Sequence, residues 1–192
     1  MPSFSKIDKY TSENCYTVNQ NWMSLKRTIN QFIQEEGLDT DPDFQRGHVW
    51  TDDQKTAYIE FKLRGGVGSN EIRFNCVGWS SGHRERFVLV DGKQRIQAVL
   101  DFFDDKIPAF GNLCSQYDDQ HFLRRIDFIF KINELKLESA VLQWYLNINT
   151  TGTPHSPEEI SKVKEMLSQT VSSESVATLA AIVAPAPKRA TI

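Results

Sequence analysis

A chain of 192 residues, 40% hydrophobic with twelve Phe and four Trp, can bury one sizeable core and is too apolar to be a disordered segment. Its formal net charge of -3 excludes a surface that is basic throughout, so any polyanion site must be local. Cys15, Cys76 and Cys114 are widely spaced and form no CxxC or Cys/His ligand set, and no apolar run approaches the ~20 residues that span a bilayer; both features fit a cytoplasmic protein with free thiols and no membrane partner.

Residues 1–18 read as a polar leader. Trp22, Leu25, Ile29, Phe32 and Ile33 then recur at helical steps and predict a first helix over residues 19–36, stopped by Gly37. Thr51-Asp52-Asp53-Gln54 puts a hydroxyl three residues before an amide, a capping-box arrangement, so a second helix should run from Asp52 to just before Gly65-Gly66. Glu71 to Val77 alternates Ile72, Phe74 and Cys76 with polar neighbours, whereas Arg86 to Val90 carries a continuous apolar run. Two strands joined through residues 78–85 are expected, the second of them central.

Ile96, Val99, Leu100 and Phe103 predict a third helix that follows this strand almost without a linker. After a loop with Pro108 and Gly111, Arg125 to Asn133 reads as a strand, and Ala140, Val141, Trp144 and Tyr145 as a helix ending near Asn147. Ser156-Pro157-Glu158-Glu159 supplies a hydroxyl cap, a first-turn proline and two acids for a last helix with Ile160, Val163 and Leu167 on its buried side. From Ser168 the composition turns to Ser, Ala and Thr and closes with Pro185 and Pro187, so residues 169–192 read as a low-complexity flexible tail containing at most one weak helix. The sum is an α+β (α/β) fold, a small mixed sheet of four or five strands surrounded by helices, as a single domain over residues 19–168.

The chemistry concentrates at the junction Asp91-Gly92-Lys93-Gln94-Arg95. A strand turning directly into a helix aims unpaired N–H groups and the positive end of the helix dipole at one small volume, which favours an anion. Gly92 permits close backbone approach, Lys93 and Arg95 bring positive charge, and Gln94 can direct a hydrogen bond. Asp91 fits a phosphate site only by capping the helix, pairing with an arginine or holding a divalent cation, and a magnesium-bound nucleotide reconciles all five residues. The plainer alternative stands beside it: Asp91 as N-cap, Gly92 as turn, and the other three as a solvated first turn.

Two further polar clusters carry the same ambiguity. Gln45, Arg46 and His48 lie between Phe44 and Trp50, as the wall of a cleft or as a satisfied loop. Asn149, Thr150, Thr151 and Gly152 precede a helix start, suited to an oxyanion or a ribose or simply to capping. His48, His83, His121 and His155 are scattered without HExxH, and the chain contains no GxSxG, GxxxxGK[ST] or GxGxxG.

Phe44-Gln45-Arg46 with Trp50, then the pentad 91–95, then Asn149 to Gly152 form an ordered series. The chain thereby resembles the N-terminal domain of GmrSD-type modification-dependent restriction enzymes, a DGQQR-motif family of the ParB/sulfiredoxin-like superfamily, over about residues 20–167 as a stand-alone domain. The third pentad position departs from the family, with Lys93 in place of glutamine. The resemblance implies a ParB-like fold and a nucleotide cleft built from Asp91, Gly92, Lys93, Gln94 and Arg95 with Gln45 and Arg46 facing them, and with Asn149 and Gly152 from the late box. The family's cleft is tied to nucleotide hydrolysis or nucleotide-dependent control; the leading expectation is a domain that binds a nucleoside triphosphate with magnesium and can hydrolyse it, with Arg95, Lys93 and Arg46 on phosphates, Asp91 as magnesium holder or water-orienting base, and Asp91 and Arg95 as the candidate catalytic residues. Full-length relatives carry a separate nuclease domain with histidine and asparagine motifs, whereas this chain ends in the low-complexity tail, so double-strand cleavage by it alone is not expected.

Two other functions are compatible with the same sequence. In one, Arg64, Arg73, Arg84, Arg86, Arg124 and Arg125 form a basic track that binds DNA without catalysis. In the other, a catalytically silent phage or mobile-element product binds an effector or defence protein. Self-association is a further expectation, since ParB-like relatives form homo-oligomers.

Overall fold

The structure, a computed structural model, describes residues 7, 9–11, 15–45, 50–150 and 157–183, with the backbone alone for Thr150, Pro157 and residues 177–183. The chain divides into two compact units after Lys136. The first contains β1 (Tyr16–Asn21), α1 (Trp22–Glu36), α2 (Asp52–Leu63), β2 (Glu71–Cys76), β3 (Phe87–Asp91), α3 (Lys93–Phe103) and β4 (Asp127–Asn133). The second contains α4 (Glu138–Thr150) and α5 (Pro157–Val183). The α+β class and the small mixed sheet expected from the sequence are both present.

The four strands run in the order β1-β4-β2-β3; β2 and β4 are parallel, and the other two pairs are antiparallel. Alternation decides which face each residue joins. Ile72, Phe74 and Cys76 of β2 and Phe128, Phe130 and Ile132 of β4 belong to one buried cluster with Trp22, Leu25 and Ile29 of α1, Ile59 of α2, and Val99 and Phe102 of α3. Phe32 of α1 ties three strands together, with its ring 6.0 Å from Phe74, 5.2 Å from Phe87 and 6.2 Å from Phe130. Truncating fully buried Phe74 to alanine would cost about 3–5 kcal/mol.

The helix ends follow their sequence signals. Asn21 caps α1 by accepting from Ser24 N, and Gly37 closes it in the left-handed conformation at φ 69°. Thr51 and Gln54 form the expected reciprocal capping box on α2.

Two expectations need correction. The polar leader ends in a strand, β1, which pairs with β4 over six positions. Its residues are largely exposed, so it shows no clean apolar alternation. Strand β3, expected at the centre, is an edge strand; it is nonetheless buried because the segment after α1 covers it, with Asp39 N donating to Phe87 O and Leu89 N donating to Asp39 O, both at 2.9 Å. The helix allowed for in the tail is a continuation of α5, which runs to Val183. It holds no Gly or Pro between Glu158 and Ala184, and its hydroxyls find acceptors on the helix: Thr170 Oγ1 donates to Met166 O and Ser172 Oγ to Ser168 O, each at 2.9 Å.

Candidate functional site

The junction is shaped by a bulge and a glycine. Arg73 pairs with Asp91 but Phe74 pairs with Leu89, so Val90 is the extra residue. The bulge turns the end of β3 and brings Asp91 opposite Arg73. Gly92 follows at φ 108° as the N-cap of α3, and a Cβ there would lie 2.5 Å from Ile72 Cδ1. Only glycine lets the helix begin this close to β2.

Asp91 does not cap α3. Its Oδ2 accepts from Arg73 Nη1 at 2.9 Å and from Arg95 Nη2 at 2.7 Å, while Arg95 Nη2 also donates to Glu71 O at 3.0 Å. The Glu71 carboxylate pairs in turn with Arg73 and, at 2.5 Å, with Lys131. Charges of alternating sign thus run across β4, β2, β3 and the first turn of α3, from Lys131 through Glu71, Arg73 and Asp91 to Arg95. The buried Arg95 Nε has no hydrogen-bond acceptor among the described residues. No side chain caps the first turn of α3. Both features leave donor capacity where an anion would arrive.

The first loop motif meets the pentad. Gln45 Nε2 donates to Leu89 O at 2.5 Å, and Trp50 N donates to Gln94 Oε1 at 3.3 Å. Lys93, whose side chain is only 11% exposed, pairs with Asp41 in the same loop. The Trp50 ring lies 5.4 Å from that of Tyr58, whose hydroxyl donates to Ser69 O at 2.9 Å and is held far above its ordinary range by burial. Arg46 and His48 lie outside the described residues.

In the second unit, Asn149 falls in the last turn of α4, where its Nδ2 donates to Tyr145 O at 2.8 Å; Gly152 lies outside the described residues.

Of the arginines expected to form a track, Arg73 and Arg84 are engaged in ion pairs and the other four are exposed. Arg73 belongs to the charge row with Asp91. Arg84 pairs with Glu36 and stacks on Trp79 at 4.0 Å, and Arg86 is exposed just before β3. Arg64, Arg124 and Arg125 are exposed at the end of α2 and in the short 3₁₀ turn Gln120–Arg125. Sequence reasoning missed Arg73, Glu71 and Asp41 as partners of the pentad. Asp41 lies 52 residues from Lys93, and the Arg73–Asp91 pairing depends on the bulge, so no local signal announces either.

The expected magnesium would have Asp91 as its protein carboxylate, with the triphosphate supplying the other oxygens. Asp91 already accepts two guanidinium donors on one oxygen, and no group of three Asp, Glu, His or Cys side chains able to hold a metal occurs among the described residues. Nor is any helix among those residues long and apolar enough to cross a membrane.

No curated protein and no solved structure matches the chain. The family model described as GmrSD restriction endonuclease, N-terminal domain, matches residues 29–165, a span that includes the pentad, the Gln45 loop and the segment from Asn149 to Gly152. With most of its length inside that match and with the glycine-hinged pentad at the β3–α3 junction, the chain belongs to the GmrSD restriction endonuclease N-terminal domain family.

Proposed function

We propose that this restriction-system module binds a nucleoside triphosphate at the pentad, with phosphate oxygens drawn to Arg95 and to the uncapped first turn of α3. The observation that carries the reading is the pairing of an acceptor-less, buried Arg95 Nε with a helix start that no side chain closes. Asp91 holds Arg73 and Arg95 side by side on one oxygen, so it positions cations for phosphate; its other oxygen can order a water or a ribose hydroxyl. Lys93 reaches phosphate by exchanging its pairing with Asp41, and Gln45 and Trp50 fix the loop beside it. Magnesium would come bound to the triphosphate's own oxygens rather than to a protein cage.

A thermal-shift panel of nucleoside triphosphates, diphosphates and inorganic phosphate, each with magnesium or with chelator, tests the reading. A triphosphate that binds the folded chain should raise Tm in proportion to ln(1 + [L]/Kd). Identical Tm across the panel at millimolar ligand would end it.

A further inference from the structure

Exposed aromatic residues gather where α2 ends and the segment after α3 returns, and each has a cation over its ring. Phe61, Phe110 and Phe122 are 46%, 41% and 43% exposed. Lys62 Nζ lies 5.9 Å from the Phe61 ring, the Arg64 guanidinium 4.8 Å from Phe110 and the Arg125 guanidinium 5.3 Å from Phe122. Phe110 is held at φ 48°, a left-handed conformation few bulky residues adopt, and its N–H donates to Glu60 Oε1 at 2.7 Å.

Two cavities of opposite character adjoin here. One of about 180 Å³ is mainly apolar, lined by Leu63, Phe102, Phe110, Tyr117, Phe122 and Leu123 together with the polar Asp119 and Gln120. The other, about 340 Å³, is polar and lined by Asn19, Lys62, Asn70, Arg125 and Asp127. Arg125 lines the polar cavity and stacks on Phe122, which lines the apolar one, so the two cavities lie close together. None of residues 91–95 lines either cavity.

We propose that this surface binds unpaired nucleotides of a single-stranded polynucleotide, with bases against Phe110, Phe122 and the apolar cavity and phosphates at the exposed Arg64 and Arg125. Stacking platforms interleaved with cations are what an unpaired strand requires. A duplex keeps its bases stacked inside and offers none to an aromatic slot. Arg124, exposed beside Arg125, extends the phosphate path. The inference is independent of nucleotide binding at the pentad.

The test is fluorescence anisotropy of the full chain with short labelled single-stranded DNA and RNA homopolymers and with a duplex of equal length, at about 50 and 200 mM salt. Either single strand should bind more tightly than the duplex. Phe122→Ala should weaken binding about tenfold by removing one stacking platform, and Arg125→Ala should flatten the salt dependence by about one phosphate contact. Both side chains are exposed, and unchanged thermal melts of the variants establish that they fold. The proposal is overturned by absence of single-strand binding at low salt, by equal or tighter duplex binding, by parent-like affinity of Phe122→Ala and Phe110→Ala, or by binding to phosphatidylserine vesicles or an acidic peptide in place of the oligonucleotides.

Discussion

Two aspartates of the first unit are each held by two cations, and they differ in what is left over. Asp101, buried in α3, accepts from Lys55 at 2.9 Å on Oδ2 and from Gln97 at 2.7 Å and Lys106 at 3.3 Å on Oδ1. Both oxygens are used, and the cluster ties α2 to α3. Asp91 accepts both its arginines on Oδ2 alone, its side chain is 21% exposed, and the neighbouring Arg95 Nε has no acceptor among the described residues. A saturated cluster can only stabilise, whereas an unsaturated one can also bind. The same residue types therefore make a lock at one place and a candidate site at the other.

The sharpest way to break this comparison is to remove each acid. Asp101→Ala leaves Lys55, 13% exposed, without its main partner and should lower unfolding free energy by about 3 kcal/mol in a denaturant titration. An effect below that of Asp91→Ala would invert the assignment of lock and site.

Acid denaturation gives a second contrast. Burial pushes the Asp101 carboxyl up, but the donors Lys55, Gln97 and Lys106 together outweigh it and hold the group below its ordinary 3.8. A depressed folded value stabilises above the unfolded value and is lost as pH falls through the folded one, so the lock should weaken progressively below about pH 4. Lys55, raised above its ordinary 10.5 chiefly by its hydrogen bond to Asp101, loses its share only as pH climbs above that value. Melts from pH 6 down to about 2.5 should therefore fall less steeply for Asp101→Asn than for the parent. Parallel curves would contradict the saturated cluster.

The smallest effect belongs to Lys93→Gln, which restores the family's glutamine and removes the pairing with Asp41, an acid whose side chain is 69% exposed. A pair with so exposed a partner is worth under about 1 kcal/mol, so the melt should barely move. The change should instead appear in nucleotide preference; a preference identical to the parent's would show that the lysine does not set it.

What the sequence disclosed and what it hid have a common cause. Elements that bury one regular face, such as α1 with Trp22, Leu25 and Ile29 or β2 with Ile72 and Phe74, were legible from spacing alone. Strand β1 was not, because an exposed edge strand need not alternate. The position of β3 was not, because burial by the Asp39 segment looks the same in sequence as burial between two strands. The start of α5 was legible from Ser156-Pro157-Glu158-Glu159, whereas its length past Ser168 hid in a composition of Ala, Ser and Thr whose hydroxyls satisfy themselves on the helix backbone. At the site the pentad was visible as chemistry. The Arg73–Asp91 pairing was not visible, because it is fixed by the bulge at Val90, which shifts the register by one and has no compositional mark.

Calorimetric titration of nucleoside triphosphates into the parent, Arg95→Ala and Asp101→Asn tests the unsaturated site most directly. The account predicts saturable binding by the parent, a loss of about tenfold or more in Arg95→Ala from a missing charge-assisted contact, and parent-like affinity in folded Asp101→Asn. Equal affinities for the parent and Arg95→Ala, or loss of binding in Asp101→Asn at a temperature where it remains folded, would contradict it.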